Sequence, residues 1–272
     1  MIAATGNRLT REIARQSTMT QNIARSQISI STGRRFERAS EDPVASVRVA
    51  SLARAQADDA TWRSNLSLGA SLAAQADGVM KGVSDRLARA QELTVSGANG
   101  TLDAGNRAAI ALELRGIAEE IDSYGATKSS LGQPLFARGD PVAIRFSESS
   151  TFAPVPSRSA AFDGLSQTIR DAAIAIEAGN AAGTATSLVN IDNAIVRTAD
   201  IAAEIGTRAS RIDRLQDQLI TRGIEFSAER SGLEDTDLSV AIAKLNGQLL
   251  TLEAAQGAFA RINRRTLMDI LG

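Results

Sequence analysis

Carboxylates, lysines, serines and one tyrosine are the side chains that could act as acids, bases or nucleophiles, because the 272 residues include no histidine and no cysteine. The missing cysteines also exclude disulfides and thiolate metal sites. Adjacent carboxylates occur at several places, but neighbours on a helix point in different directions and cannot act together on one substrate. We therefore predict helix caps or solvated charges at Glu41, Asp42, Asp58, Asp59, Glu119 and Glu120.

The lysines and the acidic stretch 234–237 also lack the surroundings that catalysis or metal binding requires. Lys81, Lys128 and Lys244 stand outside any glycine-rich phosphate-binding motif. The acidic stretch has neither the twelve-residue spacing nor the central glycine of a calcium loop. The sequence thus predicts no catalytic residue, no cofactor and no metal site, and a protein that is not an enzyme.

Both ends of the chain carry the pattern of long amphipathic helices. Apolar residues recur in steps of four and three, which places them on one side of a helix that requires a partner helix. Two such seams at opposite ends indicate a chain that doubles back, so that its first and last helices pair. The predicted self-assembly seam consists of Leu9, Ile13, Ile23 and Ile30, together with Leu238, Ile242, Leu245, Leu249, Leu252 and Phe259.

Charge and hydropathy argue against a nucleic-acid or membrane protein. The formal net charge is −1, although residues 1–38 carry seven arginines against Glu12 and Glu37, a local excess of +5. We interpret this excess as the solvated face of an amphipathic helix; the alternative is an arm that binds nucleic acid or a membrane surface. No run of eighteen apolar residues occurs, so no membrane insertion is predicted. The first residues also lack the apolar core of a cleaved signal peptide.

Helical periodicity covers most of the chain, and six helices are predicted. The first spans about 7–31 and ends at Thr32 and Gly33; the second starts with Asp42 as its N-cap and Pro43 as its first residue. The second ends near 96, the third spans about 102–124 and the fourth about 162–177. The fifth keeps the spacing of apolar residues over 188–226 and ends at 231–232. The last begins with a cap at Asp235 or Asp237 and reaches about Met268.

The middle of the chain has a different composition. Four of the five prolines lie between 134 and 156, and Val142, Ile144 and Phe146 alternate with smaller or polar residues, as in a strand. We predict a small β-hairpin that turns at Gly139 and Asp140, with residues 135–136 on its other arm.

These elements predict a mainly α protein: an elongated antiparallel bundle of long helices, or coiled coil, with a small central β-hairpin insert and paired terminal helices. The predicted domains are a terminal coiled coil (1–41 and 233–272), a rod of long helices (42–130 and 161–232) and an insert (131–160).

Several short motifs resemble the bacterial flagellin superfamily. Residues 29–35 (SISTGRR) with 40–43 (SEDP), 205–208 (IGTR) with 211–215 (RIDRL), and the ending 265–271 (RTLMDIL) follow the order and spacing of its terminal regions. Residues 132–137 (GQPLFA) and the Asp42–Pro43 step are more similar to the hook-associated junction branch than to filament subunits. The sequence departs from that branch at Pro134 and Ile270, where a tyrosine is usual, and residues 131–160 replace a larger outer domain.

The resemblance implies a structural subunit that joins hook to filament and supports motility. It implies export through the flagellar type III channel without a cleaved signal, an extracellular location, and a helical homo-oligomer. It also implies contact with a neighbouring hook-associated protein and flagellin, and an export chaperone on the C-terminal helix. The alternatives are a filament flagellin, a cytoplasmic coiled-coil adaptor and an amphipathic protein on a membrane surface.

Overall fold

The computed structural model describes the backbone of residues 2–148 and 150–271, and the side chains of residues 10–148 and 150–261. About 78% of the chain is helical, which confirms the predicted mainly α fold. The elements in chain order are α1 Ile2–Thr32, α2 Pro43–Gly97, α3 Ala104–Gly125, β1 Ile144–Arg145, β2 Thr151–Phe152, α4 Arg158–Phe162, α5 Leu165–Glu177, α6 Ala181–Glu234 and α7 Leu238–Leu271.

Local side-chain hydrogen bonds fix the helix ends. Asp42 Oδ1 accepts the backbone N–H of Ala45 at 3.0 Å, which confirms the predicted start of α2. Asp103 caps α3 in the same way, and Asp237 Oδ1 accepts two N–H groups at the start of α7. Gly33, which follows α1, has φ +69°, a conformation that glycine adopts without strain. The predicted end of α6 at 231–232 is too early, because regular helical bonding continues to Glu234.

The chain forms two compact units, residues 57–222 and residues 1–56 with 223–272. Since α2 and α6 pass from one unit into the other, the boundaries fall inside helices. The predicted three-part division, with boundaries at 41, 130, 160 and 232, stays a prediction.

The unit 57–222 has an apolar interior of three clusters made by α2, α3, α5, α6 and the insert. Every seventh residue of α6 from Ile191 to Leu219 is buried, and every seventh residue of α2 is buried as well. One cluster joins α2, α3 and α5 around Leu87, Leu114 and Ile169. A second cluster packs Met80 against Leu135 and Phe136. The predicted apolar spacing therefore identifies the buried side of α6.

The predicted β-hairpin is wrong in its pairing. β1 pairs antiparallel with β2, with Ile144 opposite Phe152, and the chain turns between Phe146 and Ser150. The segment 135–136 is instead buried in the second cluster, where the rings of Phe136 and Phe162 meet edge to face at 4.9 Å. The reason is the hydrophobic effect: Leu135 and Phe136 are both apolar, and they are buried among the helices instead of pairing with β1.

Candidate assembly surface

The first and last helices pair, as the sequence predicts. The Ser26 hydroxyl on α1 donates to Gln248 Oε1 on α7 at 2.9 Å. Just beyond the last residue of α1, the Thr236 N–H donates to the Gly33 carbonyl at 2.8 Å, and Arg35 N–H to the Glu234 carbonyl at 2.7 Å. Because residue numbers rise on one helix while they fall on the other, α1 and α7 run antiparallel.

The shielded faces of α1 and α7 each follow a spacing of three and four residues. On both helices the shielded positions include polar or small residues, and the Ser26–Gln248 hydrogen bond lies among them. Small and hydrogen-bonded residues allow two helices to approach closely without a large apolar volume. The shielded residues are Gln16, Met19, Ile23, Ser26 and Ile30 on α1, and Ala241, Leu245, Gln248, Leu252, Ala255 and Phe259 on α7.

The structure divides the predicted seam between two faces. Ile23 is buried, and Ile30, Leu245, Leu252 and Phe259 are half-buried. The other members are exposed on the surface of the subunit: Ile13, Leu238, Ile242 and Leu249. Leu9 lies on α1, but its side chain is outside the described residues.

The position of the inner face on α7 explains this division. The sequence pattern favoured the larger apolar residues, such as Ile242 and Leu249, for the inner face of α7. The inner positions are in fact one residue earlier, at Ala241 and Gln248. A search for large apolar residues misses these inner positions, because an alanine and a hydrogen-bonded glutamine make the close contact with α1 there.

A second exposed apolar row on α7 was missed. It contains Val240, Ala243, Gly247, Leu250 and Ala254, again in steps of three and four. Leu250 is 69% exposed, and a Cβ built on Gly247 would meet nothing within 4 Å. The signal was visible in the sequence, since the same spacing can be read in a different phase. We call Leu238, Val240, Ile242, Leu249 and Leu250 together the outer α7 surface.

An ion pair joins the parts of α2 and α6 that belong to the unit formed by residues 1–56 and 223–272. Arg48 on α2 donates to Glu229 on α6 through Nε at 2.6 Å and a second N–H at 2.9 Å. This hydrogen bonding lowers the pKa of Glu229 and raises that of Arg48. The N–H groups of Glu37 and Arg38 lower the pKa of the Glu41 carboxyl. The described arginines of α1, namely Arg11, Arg15 and Arg25, are exposed.

The adjacent carboxylates have structural roles that differ from pair to pair. Asp42 caps α2, and Glu120 forms an ion pair with Arg86 at 2.8 Å. Asp59 is neither a cap nor solvated, contrary to the prediction: it is buried and paired with Arg222. Within the described ranges, no three acidic residues come together in a way that could hold a metal ion. None of the helices in the described part of the chain has the length and hydropathy that crossing a membrane requires.

Comparison with known proteins identifies the family. Residues 7–139 match the bacterial flagellin N-terminal helical region, and residues 188–271 match the bacterial flagellin C-terminal helical region. The chain belongs to the bacterial flagellin family. Residues 140–187, which include the small sheet, α4 and α5, lie outside both matches.

Two proteins of similar sequence are flagellar hook-associated proteins. The chain is 22% identical to flagellar hook-associated protein 3 of Escherichia coli over 89% of this chain and 90% of that protein. It is 29% identical to the protein of the same name from Salmonella typhimurium over 40% of this chain and 34% of that protein.

Two solved structures share the fold. A structure described as a flagellar hook-associated protein from Vibrio parahaemolyticus has a TM-score of 0.65 at 18% identity, covering 72% of this chain and all of that one. FlgL of Bacillus cereus has a TM-score of 0.59 at 14% identity, covering 66% of this chain and 99% of that one.

Proposed function

We propose that this protein is a structural subunit of the bacterial flagellum at the junction between hook and filament. In this role it supports motility by holding matched helical surfaces together, and it makes or breaks no bond. The proposal is supported by membership of the flagellin family and by similarity to hook-associated protein 3 along nine-tenths of both chains.

The outer α7 surface is the observation that carries the assembly proposal. Its five large apolar residues are exposed although α7 is paired with α1. A helix that is apolar on several sides requires more than one partner. The exposed members of the predicted seam, together with Val240 and Leu250, would therefore pack against a neighbouring copy in a helical homo-oligomer.

The remaining partners follow from the hook-associated relatives. A junction subunit would contact a neighbouring hook-associated protein on one side and flagellin on the other. It would reach the cell exterior through type III export, without a cleaved signal, and an export chaperone would hold the C-terminal helix before export. No nucleic acid, membrane lipid or cofactor has a part in this function.

The assembly proposal is tested by Leu249→Asp in cells whose own copy of the gene is deleted. Leu249 is 44% exposed, so the free subunit should fold normally. In the oligomer, burying a leucine contributes about 1.5–3 kcal/mol per subunit, and a buried aspartate adds a penalty. We expect exported protein, short or absent filaments and loss of swimming in soft agar.

Thr251→Asp is the matched control, because Thr251 is exposed on the same helix and receives the same charge outside the outer α7 surface. It should leave swimming unchanged. Normal motility of the Leu249→Asp cells would contradict the assembly proposal.

Immunogold labelling of isolated flagella tests the location. A few copies at the hook end support a junction subunit, whereas labelling along the filament indicates a filament flagellin. If the protein is missing from sheared surface fractions and stays in the cytoplasm, the coiled-coil adaptor is correct.

A further inference from the structure

Asp59 is the one charged residue that is buried among residues 10–148 and 150–261. It lies on α2 in a row where every seventh residue is buried, and its side chain is 1% exposed. An ionised carboxylate in such a row is unfavourable unless a partner compensates its charge. The row consists of Ala45, Leu52, Asp59, Leu66, Ala73, Met80, Leu87 and Thr94.

Arg222 on α6 is the partner. Its Nε donates to Asp59 Oδ2 at 2.9 Å, and a second N–H donates to Oδ1. The guanidinium carbon lies 5.2 Å from the centre of the Trp62 ring, which is one turn along α2. A two-bond arginine–carboxylate pair is satisfied in one relative position of the two helices.

We infer that the Asp59–Arg222 pair specifies how α2 and α6 align in the segment formed by residues 57–66 and 212–222. Without it, both helices present apolar rows with a seven-residue repeat, and such rows can pair in more than one alignment. In some proteins, buried polar groups select one alignment of two helices at the expense of stability.

A close approach of α2 to α6 at Gly69 bounds this segment on one side. A Cβ on Gly69 would lie 3.3 Å from Ile212 on α6 and 3.4 Å from Phe146. This inference concerns contacts within one chain and does not depend on the proposed function.

Urea unfolding of the full-length protein tests whether the pair adds to the stability of the fold or only determines how α2 and α6 align. Arg222→Met leaves Asp59 buried without its partner, so the folding equilibrium constant should fall by a factor of about 100 or more. Asp59→Leu should cost less, because the Arg222 side chain is 39% exposed and reaches water. The double variant Asp59→Leu/Arg222→Met should be at least as stable as the natural protein.

Spin-label distances then test the alignment. The chain has no cysteine, so Ser64→Cys and Gln218→Cys provide labels at two exposed positions of this segment. Double electron–electron resonance should give one narrow distance in the natural pair. The double variant should show a broader distribution, and the close approach at Gly69 limits any shift to less than one heptad, which is roughly 10 Å.

The control is Arg48→Met/Glu229→Leu, which removes an exposed ion pair between the same two helices and should keep one distance. Asp59→Asn/Arg222→Gln removes the charges but keeps side chains that can hydrogen-bond to each other, so it should also keep one distance. A single unchanged distance in the Asp59→Leu/Arg222→Met variant would overturn the inference. A double apolar variant that unfolds would overturn it too, because the pair would then be a source of stability.

Discussion

Gly97→Ala should destabilise the unit 57–222, although alanine is normally the better helix residue. Gly97 is the last residue of α2, and a Cβ there would lie 2.7 Å from Ile176 Cδ1 and 2.9 Å from both its Cγ atoms. Optimal carbon–carbon contacts are about 3.5–4.0 Å, so atoms must move. Ile176 is 1% exposed in the largest cluster and has no free space to move into.

The expected loss follows from two opposing effects. Adding a methyl group to a packed interior costs about 1–3 kcal/mol. Replacing glycine by alanine gains at most about 1 kcal/mol within a helix and less at its last residue. We therefore expect a net loss of roughly 1–2 kcal/mol in the free energy of unfolding. Urea unfolding followed by fluorescence measures it, because Trp62 is the single tryptophan and lies in the same unit.

Two further variants show whether the contact with Ile176 is the cause. Gly78→Ala on the same helix meets nothing within 4 Å and should stabilise the unit by about 0.5–1 kcal/mol. In an Ile176→Ala background, itself less stable by about 2–5 kcal/mol, Gly97→Ala should cost nothing more. Additive losses, or a Gly97→Ala protein as stable as Gly78→Ala, would refute the reasoning.

Two other predictions concern the insert and the loop after α1. Phe136→Ala removes a buried ring packed on Phe162 and should lower the free energy of unfolding by about 3–5 kcal/mol, whereas Val142→Ala at an exposed position should change it by less than about 0.5 kcal/mol; equal losses would contradict this. The backbone N–H groups of Glu37 and Arg38 hold the pKa of Glu41 below its ordinary 4.5, so the resulting stabilisation is complete above that pH and is lost as pH falls through the lower folded value. Carboxyl NMR should show Glu41 titrating below 4.5, and a midpoint at or above 4.5 would be evidence against the hydrogen bonds.

Sequence reasoning succeeded where one row of large apolar residues determines a helix face. The α6 row from Ile191 to Leu219 is buried as predicted, and the Asp42–Pro43 start of α2 is confirmed. Both signals are local: a seven-residue repeat and a cap act within a few turns of one helix. The order of the helices followed from the same signals.

It failed where the outcome depends on competition between distant segments. Two segments are possible partners for β1, residues 135–136 and residues 151–152. Residues 151–152 pair with it, because Phe136 is buried in the same cluster as Met80. Asp59 was expected to be a helix cap or a solvated charge, because nothing in the neighbouring sequence reveals Arg222, 163 positions away. Pairings over such separations leave no local pattern.

The inner face of α7 contains different residues from those predicted, and this difference leaves more of its large apolar residues exposed. If Ile242 and Leu249 had occupied the inner face, the exposed apolar surface of α7 would be smaller by these two residues. Ala241 and Gln248 take those positions instead, and the outer α7 surface stays exposed. In the unit 57–222, large side chains fill three buried clusters, although single ones such as Leu112 and Val196 are exposed there as well. α7 therefore keeps five large apolar residues exposed while Leu245, Leu252 and Phe259 pack on its inner face, and the exposed residues are available for the proposed contact with neighbouring copies.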